Sequence, residues 1–209
     1  MITAAQWLRI LTDCDVKFTT AAQWCKIFET RVQPELFSIG LREMDDFIGQ
    51  ILHETQMLTA LVENLNYSAK RLTEVWPSRF PTLDSAAPFS HNQMALAEKV
   101  YGGRLGNTKP GQGFRYRGRG IPMITGYANY EMLQNLIGVP LVDNPEILAD
   151  PDTAMRVGIL WWEKKVPDSA IDSIEKVSRA VNGGLVGLAD RETLTTKAGI
   201  ALRRLETAQ

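Results

Sequence analysis

Residues 52–64 read Leu52-His53-Glu54-Thr55-Gln56-Met57-Leu58-Thr59-Ala60-Leu61-Val62-Glu63-Asn64. Around them apolar side chains fall at Phe47, Ile48, Ile51, Leu52, Met57, Leu58, Leu61 and Val62, the repeat of a helix that buries one face. Two acids, Glu54 and Glu63, stand nine residues apart in this stretch. A pair of carboxylates is the minimum equipment for cleaving a glycosidic bond. Burial in such a run partly desolvates Glu54, and its pKa is expected to rise toward a value suited to donating a proton. In one unbroken helix the two acids would face apart, roughly 13 Å along the axis. A working pair therefore needs a bend just after Leu61 or Val62, where Asn64-Leu65-Asn66-Tyr67-Ser68 supplies turn and capping residues.

Outward from this stretch the chain reads as mostly helix. Thr3 is expected to cap Ala4–Leu11, and Thr19 or Thr20 to cap Ala21–Phe28. The central helix is expected from about Gly40 to Leu58. Ser68 starts a short helix that stops before Pro77, and another runs from Asn92 to Tyr101, ending at Gly102-Gly103. Residues 102–126 hold eight of the sixteen glycines and no period, which predicts an irregular loop or small hairpin. Helix returns at Ala128–Leu136, Pro151–Lys165, Ser169–Val181 and Leu188–Glu206, with Asn182-Gly183-Gly184 breaking the last two apart.

The 209 residues are enough for one domain with a full core. At 44% hydrophobic, 22% charged and a net charge of −1, the overall balance predicts no polyanion or membrane partner. Cys14 and Cys25 form no CxxC pair and read as buried thiols of a protein made in a reducing cytosol. The first residues carry neither a basic region nor a long apolar run, so no signal peptide or membrane span is expected.

Local charge is less even. From 99 to 119 there are six basic residues, Lys99, Arg104, Lys109, Arg115, Arg117 and Arg119, with no Asp or Glu. With Phe114 and Tyr116 interleaved, this segment could grip nucleic acid, line a groove for an anionic polymer, or hold neighbouring carboxylates in place. It has no GxxxxGK[ST] phosphate loop and misses the GxGxxG spacing. His53-Glu54 begins like HExxH, but Met57 stands where the second histidine would, and the only other histidine is His91, so no metal site is expected. Neither histidine lies beside a nucleophile-elbow pattern, and His53 is expected to pack or support rather than catalyse.

His53-Glu54-Thr55, Glu63, Tyr116-Arg117-Gly118-Arg119-Gly120-Ile121-Pro122-Met123-Ile124-Thr125, Asn129-Tyr130 and Val181-Asn182-Gly183-Gly184 occur in that order. Together they resemble the family 19 glycoside hydrolases, the chitinase and lysozyme-like group, and especially its phage endolysin branch. Asn64-Leu65-Asn66-Tyr67-Ser68-Ala69 and Glu98-Lys99-Val100-Tyr101-Gly102-Gly103-Arg104 also look like that branch. The match covers roughly residues 40 to 205.

The resemblance implies a mainly α, lysozyme-like fold of one catalytic domain, 1–209, with a substrate groove and a smaller lobe at roughly 64–113. It implies Glu54 as the general acid and Glu63 as the general base, with Glu98 a lesser candidate for the second acid. Thr125 matches the hydroxyl that helps hold the attacking water, and Asn129 and Asn182 match substrate-contacting amides. The mechanism implied is inverting, with the carboxyl groups far enough apart to admit water. Arg119 and its neighbours are expected to keep a groove acid ionised, Arg119 also to contact the substrate, and Tyr67, Tyr116 and Tyr130 to offer faces to sugar rings.

Gln56-Met57 stand where the family usually has Gly-Gly, so the groove floor near Glu54 is expected to differ, and Met123 stands where chitinases have a Gln, which weighs against chitin. The expected substrate is bacterial peptidoglycan, whose anionic lactyl and peptide groups suit the basic segment. The alternatives are a chitinase and a non-catalytic glycan- or nucleic-acid-binding module. No cofactor is implied, no nucleic acid or membrane insertion is expected, and the chain is expected to be a monomer. A phage endolysin is made in the host bacterial cytoplasm and reaches the wall through a separate membrane-permeabilising protein.

Overall fold

A computed structural model describes residues 1–206. In chain order the helices are α1 (Ala4–Asp13), α2 (Phe18–Arg31), α3 (Leu41–Glu54), α4 (Ala69–Val75), α5 (Leu83–Ala86) and α6 (Gln93–Tyr101). They continue with α7 (Gln112–Arg115), α8 (Tyr127–Ile137), α9 (Pro151–Lys165), α10 (Ile174–Asn182) and α11 (Leu188–Glu206). Among the described residues there is no strand. Two isolated antiparallel bridges, Val62 with Arg119 and Arg119 with Ile124, stand where a hairpin was expected.

Local chemistry explains most helix ends. The Thr3 hydroxyl accepts from Gln6 N while the Gln6 side chain accepts from Thr3 N, closing a reciprocal cap on α1. Ser68, Asn92 and Asp150 accept from backbone N–H groups at the starts of α4, α6 and α9. α2 departs from expectation, beginning at Phe18 after Lys17 with no side-chain cap, so Thr19 and Thr20 lie inside its first turn. The helix expected over Ser169–Val181 is split. A 3-10 turn at Asp168–Ala170 comes first, and α10 starts only after Asp172, which takes a left-handed φ of 70°.

The chain divides into two compact units. The first holds Met1–Leu61, Gly120–Pro122 and Asp150–Gln209, and the second holds Val62–Arg119 and Met123–Ala149. The expected smaller lobe, roughly 64–113, lies within the second.

The first unit is built on α3 against α11. A Cβ on Gly49 would lie 2.1 Å from Thr195 Oγ1, so these two helices approach as closely as they do only because position 49 has no side chain. Around the pair sits a core containing Trp7, Phe28, Phe47 and Trp162, with Phe47 meeting Trp162 edge-on at 5.4 Å. Cys14 is buried there, and burial pushes its thiol up to about 12. Cys25 is half-buried rather than buried. The buried Glu43 carboxylate is fully used, accepting from Trp162 Nε1, Ser38 Oγ and Ile39 N.

The second unit has its own core of Leu65, Leu72, Phe80, Ala86, Leu96, Ala97 and Val100. No helix of the described residues is long and apolar enough to cross a membrane.

Candidate active site

α3 ends at Glu54, four residues short of the expected Leu58. The cause is Thr55. Its hydroxyl donates back to Ile51 O at 2.6 Å and accepts from Leu58 N at 2.9 Å, giving the backbone an alternative to the next helical turn. Gln56, Met57 and Leu58 then take left-handed φ values of 48°, 61° and 64°. The condition that no straight helix run through both acids is therefore met, and the turn comes earlier than expected.

Glu54 sits in the first unit, with its side chain 23% exposed. One oxygen, Oε1, accepts from the Arg191 guanidinium. Arg191 is itself buried, and also donates to Gln50 Oε1 and to Val186 O at 3.2 Å. Gln50 reaches the buried Ser178 on α10. A buried guanidinium with three acceptors is a fixed post, and it fixes the acid in turn. The other carboxylate oxygen has no partner among the described residues. Glu54 also borders a small apolar pocket of about 10 Å³ with Phe47, Ile51, Ile121, Pro122, Trp161 and Trp162. Its setting is thus apolar on one side and cationic on the other, where the sequence suggested only the first.

His53 supports this arrangement. Its Nδ1 lies 2.6 Å from Asp190 Oδ2, so successive residues of α3 meet successive residues of α11. The imidazole lies over Gly187, where an added Cβ would come within 2.3 Å of His53 Cε1. Asn182, at the exposed end of α10, spends its amide on the local turn: Oδ1 accepts from Gly184 N and Nδ2 donates to Val186 O.

Glu63 belongs to the second unit, and both of its oxygens are held. Tyr101 Oη donates to Oε1 at 2.5 Å, and Gly118 N donates to Oε2 at 3.1 Å. Burial and the neighbouring Glu63 carboxylate hold the Tyr101 phenol well above its ordinary range, so it remains a donor. A Cβ on Gly118 would lie 3.3 Å from both Glu63 Oε2 and Thr125 Oγ1, so the bare backbone there brings the acid and the threonine together. Thr125 donates to Met123 O, and Asn129 Nδ2 donates to Thr125 O, fixing the hydroxyl's backbone from the next turn. Glu98, the lesser candidate, accepts from Phe114 N and so anchors the Gly-rich loop.

Three expected sugar contacts are corrected by burial. Tyr116 is 3% exposed and Tyr130 is 0% exposed. Their rings pack at 5.3 Å, and their hydroxyls donate to Val142 O and Arg117 O, leaving no face for a ligand. Arg119 is fully buried, bound in a fork to Glu146 at 3.0 and 2.8 Å, and it donates to Arg115 O. It braces the loop and does not line a groove. Tyr67 is half-buried against Trp76 at 5.4 Å.

Of the six basic residues, Arg115 donates to the Val142 and Asp143 carbonyls, and Arg117 donates to Phe114 O and stacks on the Phe114 ring. Lys99, Arg104 and Lys109 are exposed. Among the described residues no group of three or more His, Cys, Asp or Glu could hold a metal ion.

The sequence reading missed Arg191, Gln50 and Tyr101. Arg191 lies 137 positions from Glu54, a separation that no linear motif reports.

No family model matches the chain. It is 33% identical over 147 residues to a glycosyl hydrolase family 19 domain-containing protein of Haemophilus influenzae, an alignment covering 69% of this chain and 72% of that one. The chain belongs to glycosyl hydrolase family 19. It is also 31% identical over 105 residues to an endochitinase of Arabidopsis thaliana, covering 47% of this chain and 37% of that one. Among solved structures, chitinase C from Streptomyces griseus aligns with a TM-score of 0.56 at 16% identity, covering 96% of this chain and 76% of that one. A mutant of chitinase C aligns at 0.55. The protein is a glycoside hydrolase related to chitinases, with the mainly helical fold of that group. Gln56 and Met57 take left-handed φ values, a backbone that glycine adopts without strain.

Proposed function

We propose that this family 19 enzyme hydrolyses β-1,4 linkages between the amino sugars of bacterial peptidoglycan, as a phage-type endolysin with an inverting mechanism. The observation that carries the assignment of roles is the contrast between the two acids. Glu54 has one oxygen on Arg191 and one without a partner, so it can carry a proton to the glycosidic oxygen while the guanidinium keeps it oriented. Glu63 is steadied by Tyr101 and Gly118 N, which suits a carboxylate that takes a proton from water. Thr125, beside it, would help hold that water.

Peptidoglycan is favoured over chitin by the outward Lys99, Arg104 and Lys109, since its peptide and lactyl groups are anionic and chitin is neutral. On this reading the enzyme is made in the host cytoplasm and reaches the wall after a separate protein opens the membrane. Chitin is the second reading, favoured by the Arabidopsis relative named an endochitinase. Clearing of purified bacterial walls, set against release from chitin oligomers, separates the two, and oligomer release without clearing would overturn the proposal. Glu54→Gln is expected to abolish clearing while wall binding persists, and undiminished clearing would refute the acid's role.

A further inference from the structure

One arginine of the second unit has no part in holding Glu63 or in bracing the Gly-rich loop. Arg79 lies in the turn Trp76-Pro77-Ser78-Arg79-Phe80 that follows α4. Its backbone is fixed: Arg79 N and Phe80 N both donate to Trp76 O at 2.9 Å. Phe80 beside it is fully buried, packed on Phe89 at 5.3 Å, while Trp76 lies against Tyr67. The half-buried ring of Tyr101 flanks the same apolar cluster, with its hydroxyl on Glu63. The charge of Arg79 bears on the Tyr101 phenol, opposing the burial and the carboxylate that hold its proton on. Arg79, next in the chain to Phe80, thus borders the apolar cluster that Tyr101, the residue steadying Glu63, also flanks.

The Arg79 side chain is half-buried, yet it has no hydrogen-bond or ion-pair partner among the described residues. That sets it apart within its unit. Arg71 pairs with Glu74, Arg119 with Glu146, Arg115 with two carbonyls, and Arg117 with a carbonyl and a ring. Arg104 also lacks a partner, but it is exposed, where water satisfies it. A guanidinium drawn partly out of water without an acceptor is costly, and a planar fork of donors matches a carboxylate above other groups.

We propose that Arg79 receives a carboxylate carried on the glycan strand bound at Glu63, and so sets the enzyme's preference for peptidoglycan over an uncharged amino-sugar polymer. The carboxylate comes either from the lactyl group of a strand stripped of its peptide or from the peptide itself. The inference rests on the peptidoglycan reading above.

The test compares wild type, Arg79→Gln and Arg79→Lys on three substrates: chitin oligomers, peptide-stripped strands and peptide-bearing strands. The readout is the ratio of kcat/KM on each charged strand to kcat/KM on the oligomer. Any loss of folded protein lowers both terms alike and leaves the ratio intact. Arg79→Gln is expected to lower the ratio by about tenfold or more, chiefly through KM, as loss of a charged hydrogen bond requires. Arg79→Lys, which keeps the charge without the fork, should fall between. Loss on the stripped strand identifies the lactyl carboxylate, and loss on the peptide-bearing strand alone identifies the peptide. If wild type cleaves walls and Arg79→Gln keeps the ratio, this inference fails by itself. If wild type cleaves neither charged strand, the peptidoglycan reading fails and takes this one with it.

Discussion

Arg119→Met separates a bracing role from a substrate contact. The guanidinium is fully buried, whereas its partner Glu146 is 71% exposed. Removing the arginine therefore lets Glu146 rehydrate and strands no buried charge. What remains is the loss of the fork to Glu146, of the bond to Arg115 O at 2.8 Å and of the bond to Tyr130 Oη at 3.1 Å. Tyr130 keeps its own donation to Arg117 O. An orphaned carbonyl and the lost charge-assisted bonds together amount to about 2–4 kcal/mol, below the full cost of breaking a wholly buried pair. For a chain of this length that is a fall in Tm of roughly 5–15 °C. Glu146→Gln leaves the buried guanidinium without its counter-charge and should cost at least as much, about 2–4 kcal/mol. Thermal melts followed by circular dichroism measure both, with KM taken well below the transition. A melt unchanged from wild type, with KM raised instead, would refute the bracing role and return Arg119 to the substrate.

Tyr101→Phe removes the donor on Glu63 Oε1 and is expected to lower kcat about tenfold or more with little change in Tm; equal kcat would mean the phenol does not steady the base. Gly187→Ala would drive a Cβ into His53 beside Glu54, and a loss of activity of about 10–100-fold is expected in protein that still folds. Burial pushes Asp45 and Asp46 up to about 6 and about 7. These acids hold protons in the folded chain that the unfolded chain has already lost, so their effect on stability is unfavourable as pH rises from about 4 to about 7. Asp46→Asn should therefore gain in urea midpoint relative to wild type at pH 8 and not at pH 4, and a gain equal at both values would contradict the sign.

The sequence made legible what is local. Capping residues announced α1, α4 and α6, and the bounds of α9 and the start of α11 were readable because Asp150-Pro151 and Asn182-Gly183-Gly184 punctuate the chain there. The end of α3 was misjudged because apolar periodicity continues through Met57 and Leu58, while the stop comes from one hydroxyl, that of Thr55. The acids themselves could be picked out, but their partners could not. Arg191 and Tyr101 reach them across the fold, and a linear pattern carries no trace of a contact between distant side chains. The aromatic and basic residues of the Gly-rich loop misled for a related reason. Composition identifies Tyr116 and Arg119 as able to bind a ligand, and only three-dimensional burial shows that they bind the protein instead.

The pairing of α3 with α11 also orders events during synthesis. Residues 62–149, which hold Glu63, Tyr101 and Thr125, leave the ribosome before α11 exists. Glu54 is made early but meets its guanidinium only once residue 191 has emerged, and His53 meets Asp190 at the same moment. N-terminal segments of a chain fold first as they appear. Here Glu54 is held in its folded orientation only when the last helix docks, so a nascent or truncated chain has Glu63 and its partners before Glu54 has its own.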